Sequence, residues 1–152
     1  MAVEVIELTK KLISIPSISG SENAIVEYAA NYLGFCKDVV HQEVEKGRCN
    51  ILAHSIEDEK LPTVIINGHL DTVSPVSGWN GHEYTPRIQD NRLYGLGSAD
   101  QKAGVAIALT VFRDFYKKSK VNIEIKRCET KESRFKKNLD LLYKTFYQTF
   151  YV

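Results

Sequence analysis

The chain has 152 residues, of which 43% are hydrophobic and 26% are charged, and its formal net charge is +1 at pH 7. This length and composition are typical of one globular domain, and the near-neutral charge indicates no particular partner. The three cysteines, Cys36, Cys49 and Cys128, are too scattered for a disulfide framework, and none forms the C-x-x-C pair of a zinc ribbon. No basic leader or membrane-length apolar run is present, so we expect a cytoplasmic protein without a membrane partner.

Two helices are predicted at the start of the chain. Apolar residues recur at helical spacing and predict an amphipathic helix over residues 2–14, which Pro16 ends. Ser19 and Glu22 fit a capping box, which predicts the start of a second helix that runs from Glu22 to Leu33.

A pair of strands is predicted next. Residues 39–44 and 50–53 are rich in strand-forming residues, and Gly47 lies where the chain would turn between them. His41 and His54 lie in or beside these strands. Because single histidines without a partner carboxylate are usually structural, neither is a candidate ligand.

The first candidate site follows a β-branched run. Residues 63–67 predict a buried strand that Gly68 ends. His69 and Asp71 come next, two positions apart, so an extended backbone directs both side chains to the same side. The Asp71 carboxylate could then accept the proton of one imidazole nitrogen and leave the other nitrogen free for a metal. By itself, an H-x-D triplet usually has no function.

The second candidate site follows another predicted strand, residues 92–94. Gly95 and Gly97 allow a tight turn of the backbone after this strand. Asp100 then precedes a helix that is predicted from Lys102 to Tyr116. Its carboxylate could bridge two cations about 3.5–4 Å apart, or it could be an ordinary helix N-cap.

The segment between the two sites, residues 74–91, is predicted to be rich in loops. Trp79 could line the mouth of a site or cover an edge of the sheet. His82 is polar and lies in a loop, but we do not assign it a catalytic role. Asp90 and Asn91 form a turn signal.

The order of these parts resembles the M20 metallopeptidases, the group that includes acetylornithine deacetylase and succinyl-diaminopimelate desuccinylase. The resemblance covers residues 3–125 and is most specific where G-H-x-D-x-V and R-L-Y-G-x-G-S-A-D-x-K-A-G occur. It implies that His69 binds one metal ion, that Asp100 bridges two, and that Asp71 orients His69. We predict an α/β fold with three layers, in which helices pack on a mixed sheet and the site lies at the strand ends.

The resemblance also implies an activity. Family members of this type hydrolyse amide bonds in N-acyl amino acids or small peptides, with two zinc or cobalt ions as cofactors. A small-molecule substrate and no nucleic acid are therefore expected here. Gln101 stands where Met is more usual in the family. The Ser-Ile-Pro-Ser-Ile-Ser-Gly linker is also similar to the family, where it carries no catalysis.

A departure from the family pattern follows residues 120–126, whose alternation predicts a half-buried strand. In the family this strand leads to two adjacent glutamates, a general base and a metal ligand. The sequence contains no Glu-Glu pair. Glu129 or Glu132 could replace the base only by reaching the reacting water within about 2.6–3.2 Å. We therefore expect a truncated form, active or inactive, with partial metal occupancy or none.

The composition changes near Ile125. Ten basic and four acidic residues lie between Arg113 and Lys137, and six of the fourteen Phe and Tyr residues follow residue 134. We divide the chain into residues 1–125, the amino-terminal part of a catalytic domain, and residues 126–152, a divergent tail that is predicted to be helical. The shift suggests that the reading frame or gene was disrupted here.

Two other interpretations stay open. The chain could be a non-catalytic fragment or a binding module, for example one that binds nucleic acid through the basic carboxy-terminal segment, although a solvated charged face is the usual explanation for such a segment. Gly95-x-Gly97 could also begin a nucleotide-binding loop. This is weak, because Asp100 occupies the third glycine position and its charge would repel a pyrophosphate.

Overall fold

The fold is given by a computed structural model, which describes residues 2–55, 63–80, 82–117 and 122–127. Over these residues the chain forms three helices and six strands. In chain order they are α1 (Ala2–Ile13), α2 (Asn23–Tyr32), β1 (Asp38–Glu45), β2 (Arg48–His54), β3 (Thr63–Gly68), β4 (Arg87–Gln89), β5 (Arg92–Tyr94), α3 (Ala103–Tyr116) and β6 (Asn122–Arg127). None of the described helices combines the length and the apolar character that crossing a membrane requires.

Four of the strands form a mixed sheet in the order β1-β2-β6-β3. β1 and β2 are antiparallel, and so are β2 and β6. β3 and β6 are parallel, and their register runs from Thr63 opposite Asn122 to Gly68 opposite Arg127. Because α3 connects these two parallel strands, its amino-terminal end lies near the carboxyl end of β3, where the first motif leaves the sheet.

One hydrophobic core joins the helices to one face of the sheet. Its fully buried members include Leu12 of α1, Ile25 of α2 and Phe112 of α3. On the sheet, Val39 and Ile66 pack against this core, and their neighbours in sequence point to the other face, where Val40 is 49% exposed and Ile65 is 40% exposed. The α/β class, with helices on a mixed sheet, is confirmed. The described helices form one layer, and a second helical layer is not among the described residues.

Most predicted elements are confirmed within one or two residues. The two amino-terminal helices, the hairpin that turns at Gly47, and the strands β3, β5 and β6 are all present. Asp90 and Asn91 form the predicted turn, with φ angles of 49° and 58°, between β5 and a strand that the sequence did not predict, β4. The side chains of β6, the residues Glu129 and Glu132, and the predicted helical tail lie outside the described features. The division of the chain at residue 125 stays a prediction.

The capping box predicted before α2 is wrong. The helix begins at Asn23, and its N-cap residue, Glu22, makes no side-chain capping bond. The Glu22 carboxylate instead accepts a hydrogen bond from the backbone N–H of Gly20 at 2.7 Å. It also accepts two from the Arg48 guanidinium, at 2.6 Å and 3.2 Å. A partner on β2 therefore replaces the local capping geometry, and the Ser19 hydroxyl is left for another contact.

Candidate metal site

The first motif leaves the sheet at Gly68, where the start of α3 approaches closely. A Cβ atom on Gly68 would lie 2.8 Å from Gln101 Oε1 and 3.0 Å from a methyl group of Val105. The absence of a side chain allows the Gln101 amide to reach the next residue, and its Oε1 accepts a hydrogen bond from the backbone N–H of His69 at 3.1 Å. Gln101, which the sequence showed only as a departure from the family pattern, thus links the two motifs.

The second motif turns sharply after β5. Gly97 has a φ angle of 77°, in the left-handed region that favours glycine. The following turn, Ser98–Lys102, is not a regular helix, since Asp100 has φ −125° and ψ 94°, and the peptide bond between Asp100 and Gln101 is cis. α3 begins only at Ala103. Asp100 is therefore not the N-cap of α3, and its carboxylate remains available for another role.

Gly97→Ala is expected to lower the free energy of unfolding by about 2 kcal/mol or more. The left-handed conformation costs a residue with a Cβ about 1–2 kcal/mol. The added Cβ would also lie 2.8 Å from a methyl group of the buried Thr72, and overpacking costs about 1–3 kcal/mol. Urea denaturation measures the change. As the control, Gly104→Ala in the first turn of α3 should be neutral or stabilising by up to about 1 kcal/mol. Equal stability of the Gly97→Ala variant and the wild type would contradict this prediction.

A buried lysine connects this turn to the loop after α1. Lys102 is completely buried, and its ammonium group donates a hydrogen bond to the backbone carbonyl of Ile15 at 2.9 Å. Burial disfavours the charged form and lowers the pKa of Lys102 to about 8. The single long side chain thus fixes the distance between the turn that carries Asp100 and the linker that follows α1.

The structure brings together the three residues predicted for the site. Nε2 of His69 lies 2.9 Å from Oδ1 of Asp100. The other ring nitrogen, Nδ1, lies 3.3 Å from Oδ1 of Asp71 and 3.2 Å from the backbone carbonyl oxygen of Asp71. The side chains of His69 and Asp71 are 34% and 28% exposed, whereas that of Asp100 is 88% exposed. Asp71 therefore contacts the imidazole at Nδ1, whereas Nε2 faces the exposed carboxylate of Asp100.

The types of donor atom in this arrangement suit a divalent ion, but there are fewer donors than a metal site usually has. Two donors that each lie about 2.0–2.2 Å from one zinc ion are roughly 3 Å apart, which agrees with the 2.9 Å between His69 Nε2 and Asp100 Oδ1. Among the described residues, however, no group of three or more His, Cys, Asp or Glu side chains is placed to hold a metal. The described part of the chain thus brings two possible donor atoms together, with Asp71 beside the other ring nitrogen of His69.

The other residues considered from the sequence lie elsewhere. Trp79 is half-buried and lines a shallow cavity of about 240 Å³, whose other lining residues are Gly78, Asn80, His82, Thr85 and Arg87. His82 is exposed, and only its backbone takes part in hydrogen bonds within the described residues. Neither residue contacts the three side chains of the candidate metal site through a described hydrogen bond. His41 is exposed on β1 and His54 ends β2.

Comparison with known proteins places the motifs in one family. Residues 65–126 match the profile of peptidase family M20/M25/M40. The succinyl-diaminopimelate desuccinylase of Wolbachia pipientis subsp. Culex pipiens (strain wPip) is 34% identical over 120 residues, which are 75% of this chain and 29% of that protein. The chain therefore spans less than a third of the length of this relative.

Solved structures show the same fold. Human carnosine dipeptidase 1 has a TM-score of 0.65 at 24% identity, over 82% of this chain and 31% of that one. The dipeptidase Dug1p of Saccharomyces cerevisiae has a TM-score of 0.67 at 20% identity, over 94% of this chain and 35% of that one. These structures show the fold, and the matching motifs with the sequence similarity to the desuccinylase show the family: residues 65–126 of this chain belong to peptidase family M20/M25/M40.

Proposed function

We propose that this chain carries part of the metal-binding site of an amide hydrolase that acts on N-acyl amino acids or small peptides. The proposal rests on one observation, the 2.9 Å contact between His69 Nε2 and Asp100 Oδ1. Membership of a family of metal-dependent peptidases supports it. The names of the similar proteins, a succinyl-diaminopimelate desuccinylase and a carnosine dipeptidase, support an amide-containing substrate.

The three side chains have distinct proposed roles. Asp71 would accept a hydrogen bond from His69 Nδ1–H, with its backbone carbonyl oxygen at 3.2 Å and its Oδ1 at 3.3 Å, and so keep the lone pair of Nε2 available to a cation. Asp100, whose side chain is 88% exposed, would supply a carboxylate oxygen to the same cation. When bound, a zinc or cobalt ion would supply Lewis-acid chemistry, which polarises an amide carbonyl and lowers the pKa of water.

The described residues lack a third metal ligand, and the sequence lacks the paired glutamates that would supply a general base. Catalytic zinc is usually held by three protein ligands with one open position, and only two candidate ligands are described here. A general base must also lie within hydrogen-bond reach of the attacking water, and the sequence lacks the Glu-Glu pair that would supply it. We therefore propose weak binding of a divalent ion and slow or no amide hydrolysis by this chain alone.

The test combines metal binding with hydrolysis. Purified full-length chain would be titrated with Co²⁺ and with Zn²⁺ by calorimetry, and N-succinyl and N-acetyl amino acids would be offered with each metal. We expect saturable binding that is weaker than in structural zinc sites, with little or no hydrolysis above the metal-only blank. Metal-dependent hydrolysis would support the complete activity. A chain that binds neither ion would overturn the proposal.

A further inference from the structure

The linker after α1 runs beside the loop that carries the candidate metal site. The backbone N–H of Thr72 donates to the carbonyl of Ser17 at 2.8 Å, and the backbone N–H of Ser19 donates to the carbonyl of Thr72 at 3.0 Å. Between them, Ile18 and Thr72 form a parallel β-bridge. These bonds fix the linker relative to the loop that follows β3, although the two segments are more than fifty residues apart in sequence.

Two serine hydroxyls of this linker make different contacts with the loop. Ser17 is completely buried, and its Oγ donates to the backbone carbonyl of Leu70 at 2.7 Å. Ser19 instead donates its Oγ–H to the side chain of Asp71, with 2.7 Å between Oγ and Oδ2. Ser17 thus supports the backbone of the loop, whereas Ser19, whose Oγ also lies 3.4 Å from the backbone carbonyl oxygen of Thr72, contacts the carboxylate that lies beside Nδ1 of the imidazole.

The Ser19 contact fixes the orientation of the Asp71 carboxylate. Oδ2 of Asp71 is held by Ser19, and Oδ1 lies 3.3 Å from Nδ1 of His69. Rotation of the carboxylate about its bond to Cβ would break the bond to Ser19, so that bond keeps Oδ1 beside the ring. Hydrogen bonds to a charged acceptor are about twice as strong as those between neutral groups, which makes this a substantial restraint for one hydroxyl.

We propose that Ser19 is a positioning residue of the metal site, whose hydroxyl holds Asp71 so that His69 presents Nε2 to a divalent cation. This inference rests on the proposed function and adds a third member to the chain that orients the ligand. It also gives the linker a role in positioning a metal ligand, whereas the family resemblance implied that the linker has no part in catalysis. Ser19 touches neither substrate nor metal; it acts through Asp71.

Metal affinity in matched serine variants tests the inference. Ser19→Ala is expected to weaken Co²⁺ binding about tenfold, at the lower end of the 10–100-fold loss typical of groups that orient a ligand. Ser19→Thr keeps a hydroxyl and should restore most of the affinity. Ser14→Ala is the control, because within the described residues the exposed Ser14 hydroxyl bonds the carbonyl of Lys11, at the end of α1 and away from the site. An equal loss in Ser14→Ala, or none in Ser19→Ala, would overturn the inference.

A second measurement does not depend on bound metal. The ring ¹⁵N chemical shifts of His69 in the metal-free protein report which nitrogen carries the proton, and a change in folding alone would not move them selectively. We expect these shifts to change in Ser19→Ala and to stay near the wild-type values in Ser19→Thr and Ser14→Ala. Unchanged shifts in Ser19→Ala would overturn the role of Ser19. If the wild type bound no metal, the proposed function would fail, and the shifts would still decide this inference.

Discussion

His69→Ala is expected to lower the affinity of the chain for Co²⁺ or Zn²⁺ by at least about 100-fold. Loss of a group that only orients a ligand costs about 10–100-fold, so loss of the ligand itself should cost at least as much. Isothermal titration calorimetry measures the affinity. His82→Ala is the matched control, since His82 is an exposed loop histidine that lines a different cavity, and it should bind metal as the wild type does.

A double-mutant cycle makes this prediction specific to a shared ion. Asp100→Ala alone should also weaken binding strongly, because its Oδ1 lies 2.9 Å from His69 Nε2. If both side chains hold one cation, their losses should not add, and the double variant should bind little more weakly than His69→Ala. Fully additive losses would show two independent sites, and equal binding by His69→Ala and His82→Ala would remove His69 from the site altogether.

The convergence of His69 and Asp100 could be anticipated from sequence because each follows a regular element. β3 is a β-branched run that ends at a glycine, and α3 has apolar residues at helical spacing. A strand followed by a crossover helix to a parallel neighbour places the end of the strand near the start of the helix. The order of strand, motif and helix therefore predicted that His69 and Asp100 lie close together, but it did not predict the distance between their donor atoms.

Contacts between distant segments could not be predicted in this way. Ser19 and Glu22 have the spacing of a capping box, yet Arg48, twenty-six residues further on, takes the Glu22 carboxylate. Once Glu22 pairs with β2, the Ser19 hydroxyl is free to bond Asp71. A local sequence pattern predicts local hydrogen bonds. Here the Glu22 and Ser19 side chains instead bond Arg48 and Asp71, which are distant from them in sequence. The sequence offered no signal for either partner.

The short strand β4 was missed for a related reason. It has three residues, all exposed, and Ile88 is 52% exposed. A strand is predicted from alternating apolar and polar residues only when the alternation extends over more residues than β4 has, so the sequence pattern gave no strand here. Only the turn signal at Asp90 and Asn91 indicated that the chain reverses, and pairing with β5 follows from that reversal.

Glu22→Gln is expected to lower the free energy of unfolding at pH 7 by about 3 kcal/mol, at the lower end of the range for breaking one partner of a buried ion pair. The Glu22 side chain is 2% exposed, and that of Arg48 is 22% exposed. The neutral amide keeps the size of the side chain but leaves the Arg48 charge without its closest partner. Glu45, at 3.5 Å from Arg48, can compensate only in part.

The effect should disappear in acid, and its direction follows from the pKa of Glu22. Burial acts to raise this pKa, but the hydrogen bonds from Arg48 and from the Gly20 backbone outweigh burial and hold it below the ordinary value of 4.5. The folded state therefore binds fewer protons than the unfolded state, so the contribution of the pair is complete above about pH 4.5 and is lost as the pH falls through the folded-state pKa. Urea unfolding of wild type, Glu22→Gln and the exposed control Glu27→Gln at neutral and acidic pH measures this. Because the carboxylate links α2 to β2 beside the linker that carries Ser19, a difference that persisted unchanged in acid would mean that packing, rather than charge, joins these elements.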